Sequence, residues 1–248
     1  MNARGPGRWT VNFLFPEMFL IVNFHTMKPA LDFIRELREN NNRDWFNTHK
    51  KRYRDSLEIF RGFAGELLAG ISAFDPSLGN LEARDTIFRI YKDVRFSKDK
   101  LPYKTHFGCW MTKGGRKSTD AGYYFHLEPG NSFMAAGVWM PPMEQLNLIR
   151  QEILYHPDPY LELINAPHIK EQYERGGKED MLKKGPAGFP KDFVHMEELK
   201  YRHYIWSRNY SDSEVLGKEF ASRTVEDFKR LHPLVEFLNH AMSFTGNQ

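Results

Sequence analysis

The sequence predicts an α+β fold, helices packed on one antiparallel sheet, from three observations. Apolar residues recur near a 3.6 spacing at both ends of the chain, they alternate in the middle, and the alternating runs are joined by turns too short for a parallel crossover. Strands grouped together between helical regions, instead of strict strand-helix alternation, separate this class from α/β folds. With 248 residues, 41% of them apolar and 15% aromatic, the chain has material for one sizeable core and needs no second domain.

In chain order, Ala30, Leu31, Phe33, Ile34 and Leu37 make the first helical face, with Thr26 as its candidate cap and Pro29 tolerated in the first turn. It ends at Asn40-Asn41-Asn42. A longer helix follows over residues 44–72, its stripe running from Trp45, Phe46 and His49 through Tyr53, Leu57, Phe60, Ala64, Leu67 and Leu68 to Ile71. Residues 86–96 then alternate as a strand, a Lys- and Pro-bearing loop leads to a second strand over 106–111, and residues 123–127 pair with 133–140 across Glu128-Pro-Gly-Asn-Ser. These consecutive strands make a meander. Met143, Leu146, Ile149, Ile153 and Leu154 mark a helix stopped at His156-Pro157, two short helices follow over 159–165 and 167–175, and glycines and prolines make 176–190 a surface loop. Residues 201–208 supply one later strand. Ser211 and Glu214 have capping-box spacing, and Phe220, Val225, Phe228, Leu231, Leu234, Val235, Leu238 and Met242 form the last apolar stripe.

The net charge of +3 argues against a protein coated by nucleic acid, but that total conceals an imbalance. Residues 84–117 hold ten Lys and Arg against three Asp, a segment charge of +7, which leaves −4 for the rest of the chain. One cysteine, Cys109, excludes an internal disulfide and a CxxC metal site, and makes the reducing cytoplasm the expected compartment. The apolar stretch over residues 11–24 is interrupted by Asn12, Pro16, Glu17 and Asn23, falls short of the ~20 residues that span a bilayer, and lacks a small-residue cleavage site. Met27 is therefore the expected start of the single domain (27–248), with residues 1–26 a non-native or unstructured extension. No membrane association is expected.

Within the basic segment, a period of two places Arg89, Tyr91, Asp93 and Arg95 on one side of the predicted strand, and Phe88, Ile90, Val94 and Phe96 on the other. Arginine suits bidentate contact with phosphate or carboxylate, and tyrosine adds a phenol. At ~3.3 Å per residue Asp93 and Arg95 can meet, whereas Arg89 and Arg95 stand about 20 Å apart and can share one phosphate only if the strand is bulged. The following loop adds Lys98, Lys100, Tyr103, Lys104 and His106, a set suited to cradling an anion. His126 and Glu128 share a strand face two residues apart and could supply an acid and a base. The His-x-Glu of zinc deaminases is excluded, since it needs two further cysteines. Gly114-Gly-Arg-Lys-Ser-Thr119 departs from a phosphate-binding loop at Arg116 and reads as a mobile basic hairpin tip. No cofactor motif is present.

The string running from Arg89 through Lys92-Asp93, Arg95-Phe96, Asp99-Lys100 and Pro102-Tyr103-Lys104-Thr105 to His106 resembles the bacterial family known as domain of unknown function 2461. Supporting resemblances are Asn40-Asn-Asn-Arg-Asp-Trp-Phe46, Tyr124-Phe-His-Leu-Glu-Pro-Gly130 and Ala136-Gly-Val-Trp-Met-Pro141, so the likeness covers about residues 27–244. Lys92 stands where the pattern has arginine, which keeps the charge and loses the bidentate fork. The resemblance implies that the basic segment is the family's signature and that residues 1–26 lie outside it; it implies no activity.

Three functions compete on these residues. The leading one is binding of a phosphate-bearing anion by Arg89, Tyr91, Arg95, Lys98, Lys100, Tyr103, Lys104 and His106, with Asp93 and His126 as the groups for proton transfer if the anion is also processed. The second is a nucleic-acid module using the +7 segment and its aromatic residues. The third is a non-catalytic interaction protein whose Arg and Asp residues form internal ion pairs.

Overall fold

A computed structural model describes residues 26–93, 95 and 99–244. The first helices are α1 (Lys28–Glu39), α2 (Arg43–Thr48), α3 (Lys50–Ser72) and α4 (Ala83–Thr86). Strands β1 (Phe107–Met111), β2 (Gly122–Leu127) and β3 (Ser132–Val138) form the meander. Helices α5 (Met143–Tyr155), α6 (Pro157–Asn165) and α7 (Pro167–Gln172), the two-residue β4 (Glu174–Arg175) and α8 (Met196–Leu199) lead to β5 (Tyr204–Tyr210), α9 (Asp212–Val215) and α10 (Phe220–Ser243). All strand pairs are antiparallel, in the order β1-β2-β3-β5-β4. The fold is α+β, with α3 and α10 packed against the sheet and α1 against α3.

Alternation dictates which side chains meet the helices. Phe107, Cys109, Met111, Tyr123, Phe125, Leu127, Met134, Ala136 and Val138 are buried on the helix side, where Phe60 stacks on Phe107 and Phe63 meets Phe125 edge-on. Ser211 and Glu214 form the expected capping box at α9. Among the described residues no helix is long and apolar enough to cross a membrane. Residues 1–25, all of the predicted extension over 1–26 but Thr26, lie outside the described residues.

Three element predictions are corrected. The helix expected over 44–72 breaks at His49, whose ring donates from Nδ1 to the Trp45 carbonyl at 2.8 Å and stacks on the Trp45 indole. Residue 49 leaves helical geometry there (φ −100°, ψ 15°), and α2 starts one residue earlier because the Asn42 side chain caps the Trp45 amide. The last strand is displaced to Tyr204–Tyr210, because its register is set by pairing with Ser132–Val138.

The largest correction concerns residues 86–96. Thr86 ends α4, and among the described residues of this span only Ile87 and Tyr91 form single bridges, to Cys109 and Tyr103. Four residue steps from Ile87 to Tyr91 therefore face six steps from Tyr103 to Cys109, a two-residue bulge on the second segment. The bulge breaks the period of two: Ile87 and Ile90 are both buried, Arg89 and Tyr91 are exposed, and Phe88 turns to the sheet face away from the helices. Val94, Phe96 and Lys98 lie outside the described residues.

Candidate functional site

The sheet face turned away from α3 and α10 carries Gly108 and Trp110 of β1, Tyr124 and His126 of β2, and Phe133, Ala135 and Gly137 of β3, which the strand register sets side by side. Phe88, Lys104 and His106 border it on one side, Arg116 and the Ser118-Thr119-Asp120 turn on another, and Trp139 and Ile205 close the far end. They enclose an open cleft of about 570 Å³, the size of a small-molecule site. The basic tip is tied down: Arg116 donates to the Ile87 carbonyl at 2.7 Å, and Gln145 donates to the Thr119 hydroxyl at 2.8 Å.

A hydrogen-bonded chain runs into the sheet from this cleft. The Tyr124 hydroxyl lies 3.0 Å from His126 Nδ1, and His126 Nε2 lies 3.2 Å from a Glu128 oxygen. Glu128 also accepts from Arg38 of α1, Thr105 and Asn131. The imidazole of His126 is held between the ring of His106, 4.2 Å away, and that of Phe133, 4.7 Å away. Because Glu128 accepts at Nε2, that nitrogen carries the proton, Nδ1 is the acceptor, and the Tyr124 hydroxyl donates to it.

Electrostatics keep this chain neutral at its histidines. Burial pushes His106 down to about 4, helped by the neighbouring His126 and Lys104, and burial also lowers His126 against the opposing pull of Glu128. Burial raises the Tyr124 phenol, so it holds its proton. For Glu128, burial acts upward but the hydrogen bonds from Asn131, His126 and Thr105 outweigh it and hold the carboxyl below its usual range. Between pH 6.5 and about 4 the unfolded chain protonates at residue 106 while the folded protein does not, so stability falls as pH drops through that window. Calorimetry from pH 7 to 4.5 is expected to show a declining Tm, with a shallower decline for His106→Gln; equal slopes would refute the assignment.

Of the predicted residues, Lys104 and His106 line the cleft, and His126 sits one hydrogen bond behind it. The others are not brought there. Asp93 is exposed and gripped by the Arg95 guanidinium at 3.0 and 2.7 Å; those bonds and the Arg95 amide hold its carboxyl at about 2, too acidic to exchange protons efficiently near neutrality. Arg89, Tyr91, Arg95 and Lys100 are exposed outside the cleft lining, and Lys92 pairs with Asp99 at 2.5 Å. Tyr103 is a core residue, stacked on Phe46 at 4.0 Å with its backbone held by Asn41. Lys98 lies outside the described residues.

Tyr124, Phe88, Trp110, Phe133, Arg116 and Trp139 are site residues that the sequence reading did not select. For Tyr124 the signal was present, since it precedes His126 by two residues and so shares its face with His126 and Glu128. Its neighbour Tyr123 points the other way and donates to Asp75 at 2.9 Å, tying the sheet to the helical layer. Among the described residues no three of His, Cys, Asp or Glu cluster so as to hold a metal ion.

No curated protein and no solved structure matches the chain. The family described as conserved hypothetical protein (DUF2461) matches residues 29–237, which take in β1 to β5 and every side chain that lines the cleft among the described residues. On that match the chain belongs to the DUF2461 family.

Proposed function

We propose that the protein binds a small anionic ligand, a phosphate or carboxylate group carried on a flat ring, in the cleft on the outer sheet face. The observation that carries this reading is Lys104. Its ammonium is half-buried, stands 5.3 Å from the centre of the Phe88 ring, and has no carboxylate within 4 Å among the described residues. Burial, with Arg89 nearby, pushes its pKa down, as expected of a cation that gains from an incoming anion. Phe88, Trp110, Tyr124, Phe133 and Trp139 supply flat walls for a ring, and the neutral His106 supplies a donor and an acceptor. The single cysteine, Cys109, which leaves the chain without an internal disulfide, supports placement in a reducing cytoplasm, which cell fractionation tests.

Titration calorimetry with inorganic phosphate, nucleoside monophosphates and hydroxybenzoates tests the ligand class. At least one ring-bearing anion is expected to bind, and Lys104→Met to weaken it about 10- to 100-fold, the range of a hydrogen bond to a charged group. Equal affinity in the variant, or no binding across the panel, overturns the reading. Binding of oligonucleotides alone, falling steeply with salt, would favour a nucleic-acid partner instead.

A further inference from the structure

We propose that Tyr124 is a proton-transfer group acting on a hydroxyl of the bound anion, with His126 and Glu128 as the relay behind it. The inference rests on the ligand cleft described above and adds a reaction class to it. Its basis is the order of the hydrogen bonds. Glu128 accepts a hydrogen bond from His126 Nε2, Nδ1 accepts one from the Tyr124 hydroxyl, and Tyr124 itself lines the cleft, so its oxygen keeps lone pairs for a ligand O–H that reaches it from there. A surface tyrosine has no such acceptor beneath it.

Two features show that the phenol is held in place. A Cβ at Gly108, directly across from His126 in the β1–β2 register, would lie 2.7 Å from the Tyr124 hydroxyl oxygen, so the absence of a side chain at 108 makes room for the phenol to reach Nδ1. The rings of His106 and Phe133 fix the plane of the His126 imidazole. Glu128 is in turn fixed by Arg38, Thr105 and Asn131, so each member of the relay is oriented by the next.

The step balances without any further reagent. The ligand O–H bond breaks and its electron pair stays on the ligand oxygen. The proton joins Tyr124 Oη as the original Tyr124 O–H bond breaks, and that proton forms a new bond to His126 Nδ1. The products are a ligand oxyanion and an imidazolium paired with the Glu128 carboxylate. Reversal returns the proton, so the same chain serves as base and then as acid. Tyr124 touches the ligand and is the catalytic residue of the proposal; His126 and Glu128 act through it.

The probe is 4-hydroxy-3-nitrobenzoate, which offers a carboxylate to Lys104 and a phenol to Tyr124 and absorbs differently when ionised. At a pH just below the range where the free probe ionises, the bound probe is expected to show the phenolate band. Tyr124→Phe and His126→Gln should abolish that band while the probe still binds, and Gly108→Ala should reduce it, because the clash falls on the movable end of a side chain and leaves the backbone in place. A neutral bound probe, or a phenolate band that persists in Tyr124→Phe, overturns the relay. If no probe binds, the anion site fails, and the relay is then decided by nitrogen NMR of the free protein. Protonated Nε2 with Nδ1 accepting supports it, and the opposite tautomer of His126 overturns it.

Discussion

Gly137→Ala is expected to destabilise the protein by about 3–5 kcal/mol, combining the strain of a glycine-only backbone with that of a steric clash. Gly137 sits at φ +126° in β3, between Gly122 of β2 and Ile205 of β5. A Cβ there would lie 2.0 Å from the Tyr204 carbonyl oxygen and 3.0 Å from the Ile205 Cα. Both obstacles are backbone, so no rotamer change relieves the contact and β3 and β5 must separate. Small domains have about 5–15 kcal/mol of stability in total, so a large part would be removed. Urea unfolding measures it, and a midpoint equal to wild type would show that the sheet absorbs the methyl. The cleft is expected to suffer as well, because Gly137 and Ile205 both line it.

Position 137 also illustrates what the amino-acid order does and does not reveal. Strands over 107–111, 122–127 and 132–138 were legible because each is a short run rich in apolar and aromatic residues bounded by its own turn, and the Ser211–Glu214 box was legible because capping is local. The two-residue bulge of Tyr103–Cys109 against Ile87–Tyr91 was not, since a bulge is a property of two paired segments and alternation within one of them cannot reveal it. That single irregularity decided the site. It left Arg89 and Tyr91 outside the cleft, while Phe88 and Lys104 border it, so the basic segment is divided between surface and cleft. Cleft membership of Trp110 and Phe133 depended on which sheet face α3 and α10 leave uncovered, a long-range fact with no local sign. Tyr124 was different: its spacing from His126 and Glu128 was local and sufficient.

Asp227→Ala is expected to cost about 3–5 kcal/mol, the range for removing one partner of a buried ion pair. Asp227, in α10, is 2% exposed and accepts from Arg208 at 3.0 Å on each oxygen, from the Tyr210 hydroxyl at 2.7 Å and from the Tyr173 hydroxyl at 2.9 Å. Burial, with the Asp227 charge beside them, pushes both phenols up, so each remains a donor with no other acceptor of comparable charge. Truncation would strand the Tyr210 hydroxyl, leave Tyr173 only the backbone carbonyl of residue 227 at 3.3 Å, and leave Arg208 only Glu214 at 3.8 Å. The pairing is also how α10 holds β5: Arg208 and Tyr210 face the helices, while Ile205 on the same strand faces the cleft. A double-mutant cycle with Arg208→Met separates pairing from simple loss of packing. If the pair is the unit, the double variant should be more stable than the summed single losses predict, by about 1–3 kcal/mol, and binding at the cleft should recover with it. Additive losses would mean that the tyrosines and Arg230, 3.4 Å away, hold Asp227, and that Arg208 contributes nothing to the attachment of the strand.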